Sequence, residues 1–181
     1  MDAQTNLTNA GQKIRTVDIT VTAAMAALVF LGTYIFKIPT ISGYVHLGDC
    51  MILLTVALFG MKKGAIAGAI GGGLSDFIGG YFYWVVPTLL IKCMWAIVMG
   101  LIMHKVLKDK KGSFLIGAIA GGVLHIIAYT LVRAALYSGK TAIIEIPALT
   151  FQTGAGIVIG FVIYMLLKKS GVAARLSGMV K

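Results

Sequence analysis

Charge is scarce in this chain. Only 12% of its 181 residues are Asp, Glu, Lys or Arg, where soluble domains average roughly 25%. The apolar share is 59% and the mean hydropathy +0.93, more apolar surface than a water-soluble domain of this length can bury. Cysteine is almost absent: Cys50 and Cys93 lie inside apolar runs without CxxC spacing, so they read as small buried hydrophobes and exclude a disulfide scaffold. Also missing are a P-loop, a GxSxG elbow and an HExxH helix, and His46, His104 and His125 do not stand at metal-ligand spacing. The sequence therefore gives no catalytic residue, metal site or cofactor, and no ATP hydrolysis by this chain. A cytosolic enzyme and a nucleic-acid binder are excluded, leaving an integral membrane protein.

Six apolar runs are present, over residues 17–36, 46–60, 64–81, 87–106, 114–136 and 147–167. A helix needs about 20 residues to cross the hydrocarbon core, and open strands cannot satisfy their backbone there. The expected fold is thus all-α with six transmembrane helices, the second one short. The formal net charge of +10 is distributed by side. Twelve Lys and Arg residues fall at one set of loops and ends. The opposite side holds Lys37, Lys92, Arg133 and Lys140. That asymmetry puts both termini in the cytoplasm. It divides the chain into a cytoplasmic N-terminal segment (1–15), a six-helix transmembrane domain (16–168) and a cytoplasmic tail (169–181), with the first run an uncleaved span. The external segments 37–45 and 137–146 are longer and more polar than the cytoplasmic connections, and are either simple connectors or loops that close over a site.

Ionisable groups are costly inside a bilayer unless paired or hydrated, which makes each a functional candidate. Here they gather in the external half: Asp49, Asp76, Lys92, Gln152, and His125, Tyr129 and Arg133, which are four residues apart and share one helix face. This suits a solute pocket open outward; a stripe of interhelical hydrogen bonds, with Arg133 reaching the headgroups, is the alternative. Lys92 and Trp95 share a face with Met99, so Trp95 either stacks on a ligand ring or packs without one. Asp76 follows a Gly-rich run and needs a partner, for which Lys92 is the candidate. His46 and Asp49, three apart, are candidates to pair with each other. The run Tyr81-Phe82-Tyr83-Trp84 reads as an aromatic belt or a pocket wall. Ala23 and Ala27 make a flat face on span one, suited to close helix packing.

Six short spans in about 180 residues, the spaced alanines of span one and the missing ATPase motif together resemble the substrate-binding S component of energy-coupling factor (ECF) vitamin transporters. The stretch Gly43-Tyr44-Val45-His46-Leu47-Gly48-Asp49, the Gly-rich run ending in Asp76, and Pro87-Thr88-Leu89-Leu90-Ile91-Lys92 look like the hydroxymethylpyrimidine/pyridoxine-type branch. The resemblance implies a bacterial cytoplasmic-membrane protein that captures a vitamin from outside and works with a transmembrane T component and two cytoplasmic ATPases. It implies that Ala23 and Ala27 meet the T component. It also implies a pocket built from the loop after span one and spans four to six, a region that includes Tyr44, Lys92, Trp95, His125, Tyr129, Arg133 and Gln152. His46, Asp49, Asp76 and Trp84 are structural or pocket residues. Hydroxymethylpyrimidine or pyridoxine fits the aromatic and polar strip best. Pantothenate comes next, its carboxylate held by Arg133 or Lys92, and riboflavin is less favoured. A self-sufficient small-solute carrier or channel is the rival of a different class; it predicts polar groups in the inner halves of the spans as well, which are nearly bare.

Overall fold

The computed structural model describes residues 15–108 and 110–180, so most of the expected N-terminal segment lies outside the described residues. Seven helices are present: α1 Thr16–Tyr34, α2 Asp49–Phe59, α3 Met61–Ile78, α4 Phe82–Leu101, α5 Ser113–Leu136, α6 Gly139–Lys169 and the short α7 Val172–Gly178. A π-turn over Ile102–Val106 extends α4. The expected all-α fold has one exception. Segment 37–45 is no plain connector but holds an antiparallel hairpin of β1 Ile38–Thr40 and β2 Gly43–Val45.

Four helices are long and apolar enough to cross a membrane: α1, α4 with its π-turn, α5 and α6. Of the other three, α7 is short, and α2 and α3 differ for visible reasons. α2 has 11 residues, roughly 16 Å at 1.5 Å per residue and about half the hydrocarbon thickness. It begins at Asp49 rather than at residue 46, because His46 to Gly48 form the turn that leads out of the hairpin. α3 contains Lys62, Lys63 and Asp76 among its glycines. Its buried face is Gly64, Gly68, Gly71, Ser75 and Asp76, while Ile66, Ile70, Leu74 and Phe77 are exposed. Small and polar inside, large and apolar outside is the reverse of a water-soluble helix and the arrangement a lipid solvent requires.

α2 and α3 meet at Gly60, whose φ of +93° is a backbone conformation open to glycine. The chain reverses there, so that Gly64 lies against Val56 and Gly68 against Ile52. α3 runs alongside α1 in the same direction, joined at its start by a 3.0 Å ion pair between Lys63 and Asp18. The contact is close: a Cβ on Gly71 would sit 2.5 Å from the Ala26 carbonyl. α4 runs against α3, α5 against α4 and α6 against α5, so the start of α1 and the end of α6 share one side of the bundle.

Two prolines mislead as helix starts. α4 begins at Phe82, before Pro87, and α6 begins at Gly139 and passes through Pro147. The true start of α6 is set by Ser138, whose side chain accepts from the Thr141 N–H at 3.1 Å. The expected external loop 137–146 is therefore largely helix. At the other end, α7 folds back and Ser177 donates to the Leu58 carbonyl that ends α2, at 2.8 Å.

The interior divides by depth. On the side where α2, α4 and α6 end, the core is apolar: Val29, Leu53, Val56, Met99, Met103, Phe114 and Ile157. On the opposite side most buried groups are polar, and these define the site.

Candidate functional site: a polar cavity beneath the hairpin

The floor of the cavity is set by the break between the hairpin and α2. Because α2 starts half-way down the bundle, its first residue, Asp49, is wholly buried and sits at the positive end of the helix. A buried carboxylate needs a counter-charge and hydrogen bonds. Lys92 from α4 supplies both at 2.5 Å, with the two side chains 1% and 0% exposed. Gln152 from α6 donates its amide nitrogen to the other oxygen at 2.7 Å. His46 completes the floor: its Nδ1 accepts from the Gly48 N–H at 3.2 Å, and its backbone N–H donates to Gln152 Oε1 at 3.3 Å.

The walls are aromatic and hydroxylic. The Trp84 and Tyr129 rings stack with centroids 5.6 Å apart, and the Arg133 guanidinium lies 5.2 Å from the centre of the Trp84 ring. Tyr129 donates to Thr88 at 2.9 Å, and Tyr44 donates to Asp76 at 2.5 Å. Burial, and then the adjacent Asp76 charge, push the Tyr44 hydroxyl well above the usual phenol range. It therefore remains a donor.

The β-hairpin covers this space. At its tip, Ser42 donates its N–H and its hydroxyl to Glu145 of α6, at 2.8 and 3.2 Å. At its base, the Lys37 ammonium lies 4.3 Å from the Tyr34 ring centre and 4.5 Å from that of Tyr44. Burial lowers the Lys37 pKa while Asp76 partly restores it. Beneath the hairpin about 460 Å³ is free of protein atoms, including the open mouth.

Of the residues singled out from the sequence, Tyr44, His46, Asp76, Trp84, Lys92, Tyr129, Arg133 and Gln152 stand on the cavity wall. Asp49 supports the floor from behind. Trp95 and His125 lie beneath it, in the core. Trp95 donates to the Ala118 carbonyl at 3.1 Å and packs on the His125 ring at 4.3 Å, and His125 Nδ1 is 3.1 Å from Thr153 Oγ1. The stripe of span five thus splits by depth, since each four-residue step moves about 6 Å along the axis: Arg133 and Tyr129 reach the cavity and His125 does not. Two expected pairings are replaced. Asp76 pairs with Tyr44 rather than Lys92, because Lys92 is held by Asp49. Asp49 spends its oxygens on Lys92 and Gln152, so His46 is not its partner. Pantothenate thereby loses Lys92 as a free cation. Ala23 and Ala27 are exposed on the outer face of α1, away from the cavity.

Sequence reasoning passed over Glu145, Ser42 and Thr33, while Tyr81, read there as part of an aromatic belt or a pocket wall, lines the cavity. Glu145 is the single glutamate in the chain and is 4% exposed, a signal obscured by its assignment to a solvated loop. Two wall groups, Thr33 Oγ1 and Arg133 Nε, are buried with no hydrogen-bond partner among the described residues. Such groups cost free energy unless something else satisfies them.

Comparison with known proteins gives two findings. The family model for the ECF-type riboflavin transporter S component matches residues 13–169. A protein of Pyrococcus woesei, described as an uncharacterized protein in gap 3'region, is 35% identical over 132 residues, covering 73% of this chain and 87% of that protein.

Proposed function

This chain belongs to the ECF-type riboflavin transporter S component family, a family of substrate-binding transporter subunits rather than enzymes, and from that premise we propose that it captures a planar, uncharged heteroaromatic vitamin from the external side of the membrane. The observation that carries this reading is the cavity itself: stacked Trp84 and Tyr129 on one wall, with hydrogen-bonding groups above and below. Aromatic faces accept a ring, and the few fixed polar groups select its substituents. The space is small, which favours a single-ring compound such as hydroxymethylpyrimidine or pyridoxine. Riboflavin is the second reading. The family description favours it, and it requires the hairpin to lift so that a three-ring system and its side chain can enter.

In this reading α2 and α3 complete six membrane-embedded helices, with both ends of the bundle cytoplasmic, as the distribution of Lys and Arg supports. ECF S components work with a T component and ATPases. The exposed alanines of α1 are the proposed docking face, since small side chains allow a partner helix to approach closely. Ala23→Trp should abolish uptake by the assembled complex while leaving vitamin binding by the isolated chain within about twofold; equal loss of both would remove α1 from the interface.

The substrate is tested by mass spectrometry of the compound that co-purifies with the detergent-solubilised chain, followed by titration of riboflavin, hydroxymethylpyrimidine, pyridoxine and pantothenate against tryptophan fluorescence. Saturable binding of one heteroaromatic compound supports the reading. Binding of pantothenate alone, or of none, overturns it.

A further inference from the structure

The hydrogen-bond directions at the cavity floor leave one point unmatched. The Gln152 amide orientation is fixed from both ends: its oxygen accepts from the His46 N–H at 3.3 Å and its nitrogen donates to Asp49 at 2.7 Å. Reversing it would set oxygen against carboxylate and nitrogen against N–H. The His46 tautomer is fixed as well. Nδ1 accepts from the Gly48 N–H at 3.2 Å, so in the neutral ring the hydrogen is on Nε2. A doubly protonated ring would turn a donor toward Gly48 and put a second positive charge beside Lys92. Lys92, paired with Asp49, is an ammonium and can only donate.

Three donors therefore converge. His46 Nε2 lies 3.5 Å from Lys92 Nζ and 3.4 Å from Gln152 Nε2, and none of these three atoms can accept from another. All three residues line the cavity and are at most 7% exposed. An assembly of buried donors without an acceptor is unfavourable on its own and favourable around one.

We infer that the point enclosed by His46, Lys92 and Gln152 is the seat of an acceptor atom of the substrate, a carbonyl oxygen or an unprotonated ring nitrogen. This rests on the proposed function and adds a selection rule to it. The cavity reads one bare acceptor at the deep edge of the heterocycle and discriminates against rings that present C–H or N–H there. A site built to hydrogen-bond a substrate rejects the analogue lacking that group far more strongly than a hydrophobic wall rejects a change of size.

The test uses the full chain in detergent and analogues that each lack one acceptor: the 1-deaza, 5-deaza, 2-thio and 4-thio forms of riboflavin, and the two pyridine analogues of hydroxymethylpyrimidine. Each is compared with its parent on the native chain and on His46→Phe and Gln152→Leu. One analogue is expected to bind the native chain at least thirtyfold more weakly than its parent, and that ratio should fall to below threefold in either variant. Should His46→Phe fail to fold, Gln152→Leu and the native-chain ratios still decide the matter. If every analogue binds the native chain as tightly as its parent, or if the penalty persists unchanged in the variants, the acceptor seat is wrong while the proposed function stands. If neither parent vitamin binds, the selection rule fails, and if pyridoxine does not bind either, the proposed function fails with it.

Discussion

The two halves of this bundle are built by opposite rules. On the side where α2 and α6 end, Leu53, Val56, Met99 and Phe114 interlock as in any protein interior. On the other, Asp49, Lys92, Gln152, Asp76 and Arg133 are buried with little apolar support. Apolar side chains fix helix positions through the inner half, while the outer half holds groups that contribute little to stability and much to recognition. A buried ion pair is a weak source of stability but a costly thing to break. The polar half is therefore held in place by the apolar one.

This contrast can be broken most sharply at Lys92. Lys92→Met leaves the Asp49 carboxylate buried without its cation and should destabilise the chain by about 3–5 kcal/mol, read as a fall in melting temperature in detergent. The double substitution Lys92→Met with Asp49→Leu should recover most of that loss yet bind no vitamin, separating fold from function in a single comparison. On the apolar side, Leu53→Ala removes a fully buried side chain and should cost about 3 kcal/mol, with affinity of the folded fraction unchanged within twofold. The smallest effect on the fold is expected at the rim. Arg133→Ala should leave the melting temperature nearly unchanged and weaken vitamin binding about tenfold, roughly 1.4 kcal/mol, by fluorescence titration. Unchanged affinity would make Arg133 a headgroup anchor.

Much of this was legible in the sequence, and the rest was not for identifiable reasons. Hydropathy located α1, α4, α5 and α6, the four described helices long and apolar enough to cross a membrane, because the bilayer imposes a length and a composition on each. The concentration of polar residues in one half was equally plain, and Asp76, Lys92, Tyr129, Arg133 and Gln152, picked out that way, stand on the cavity wall. Pairing was not legible: Lys92 had two acidic candidates, and the choice of Asp49 over Asp76 depends on where α2 begins. That start is set by the turn from His46 to Gly48 that leads out of the hairpin, which a hydropathy run over 46–60 conceals. Helix starts at Pro87 and Pro147 were misplaced because membrane helices tolerate an internal proline where neighbouring groups and local adjustment satisfy the freed carbonyl. His125 was misjudged by a single helical turn, since a shared face fixes direction and leaves depth open.

The pairing of charges around the cavity has an electrical consequence. Asp49 and Lys92 cancel, and the remaining charges beside the cavity, Asp76 and Glu145 against Lys37 and Arg133, also sum to zero. Moving a unit charge through the membrane potential involves about 2.3 kcal/mol per 100 mV. A site of zero net charge holding the proposed uncharged ligand carries no net charge for that field to act on.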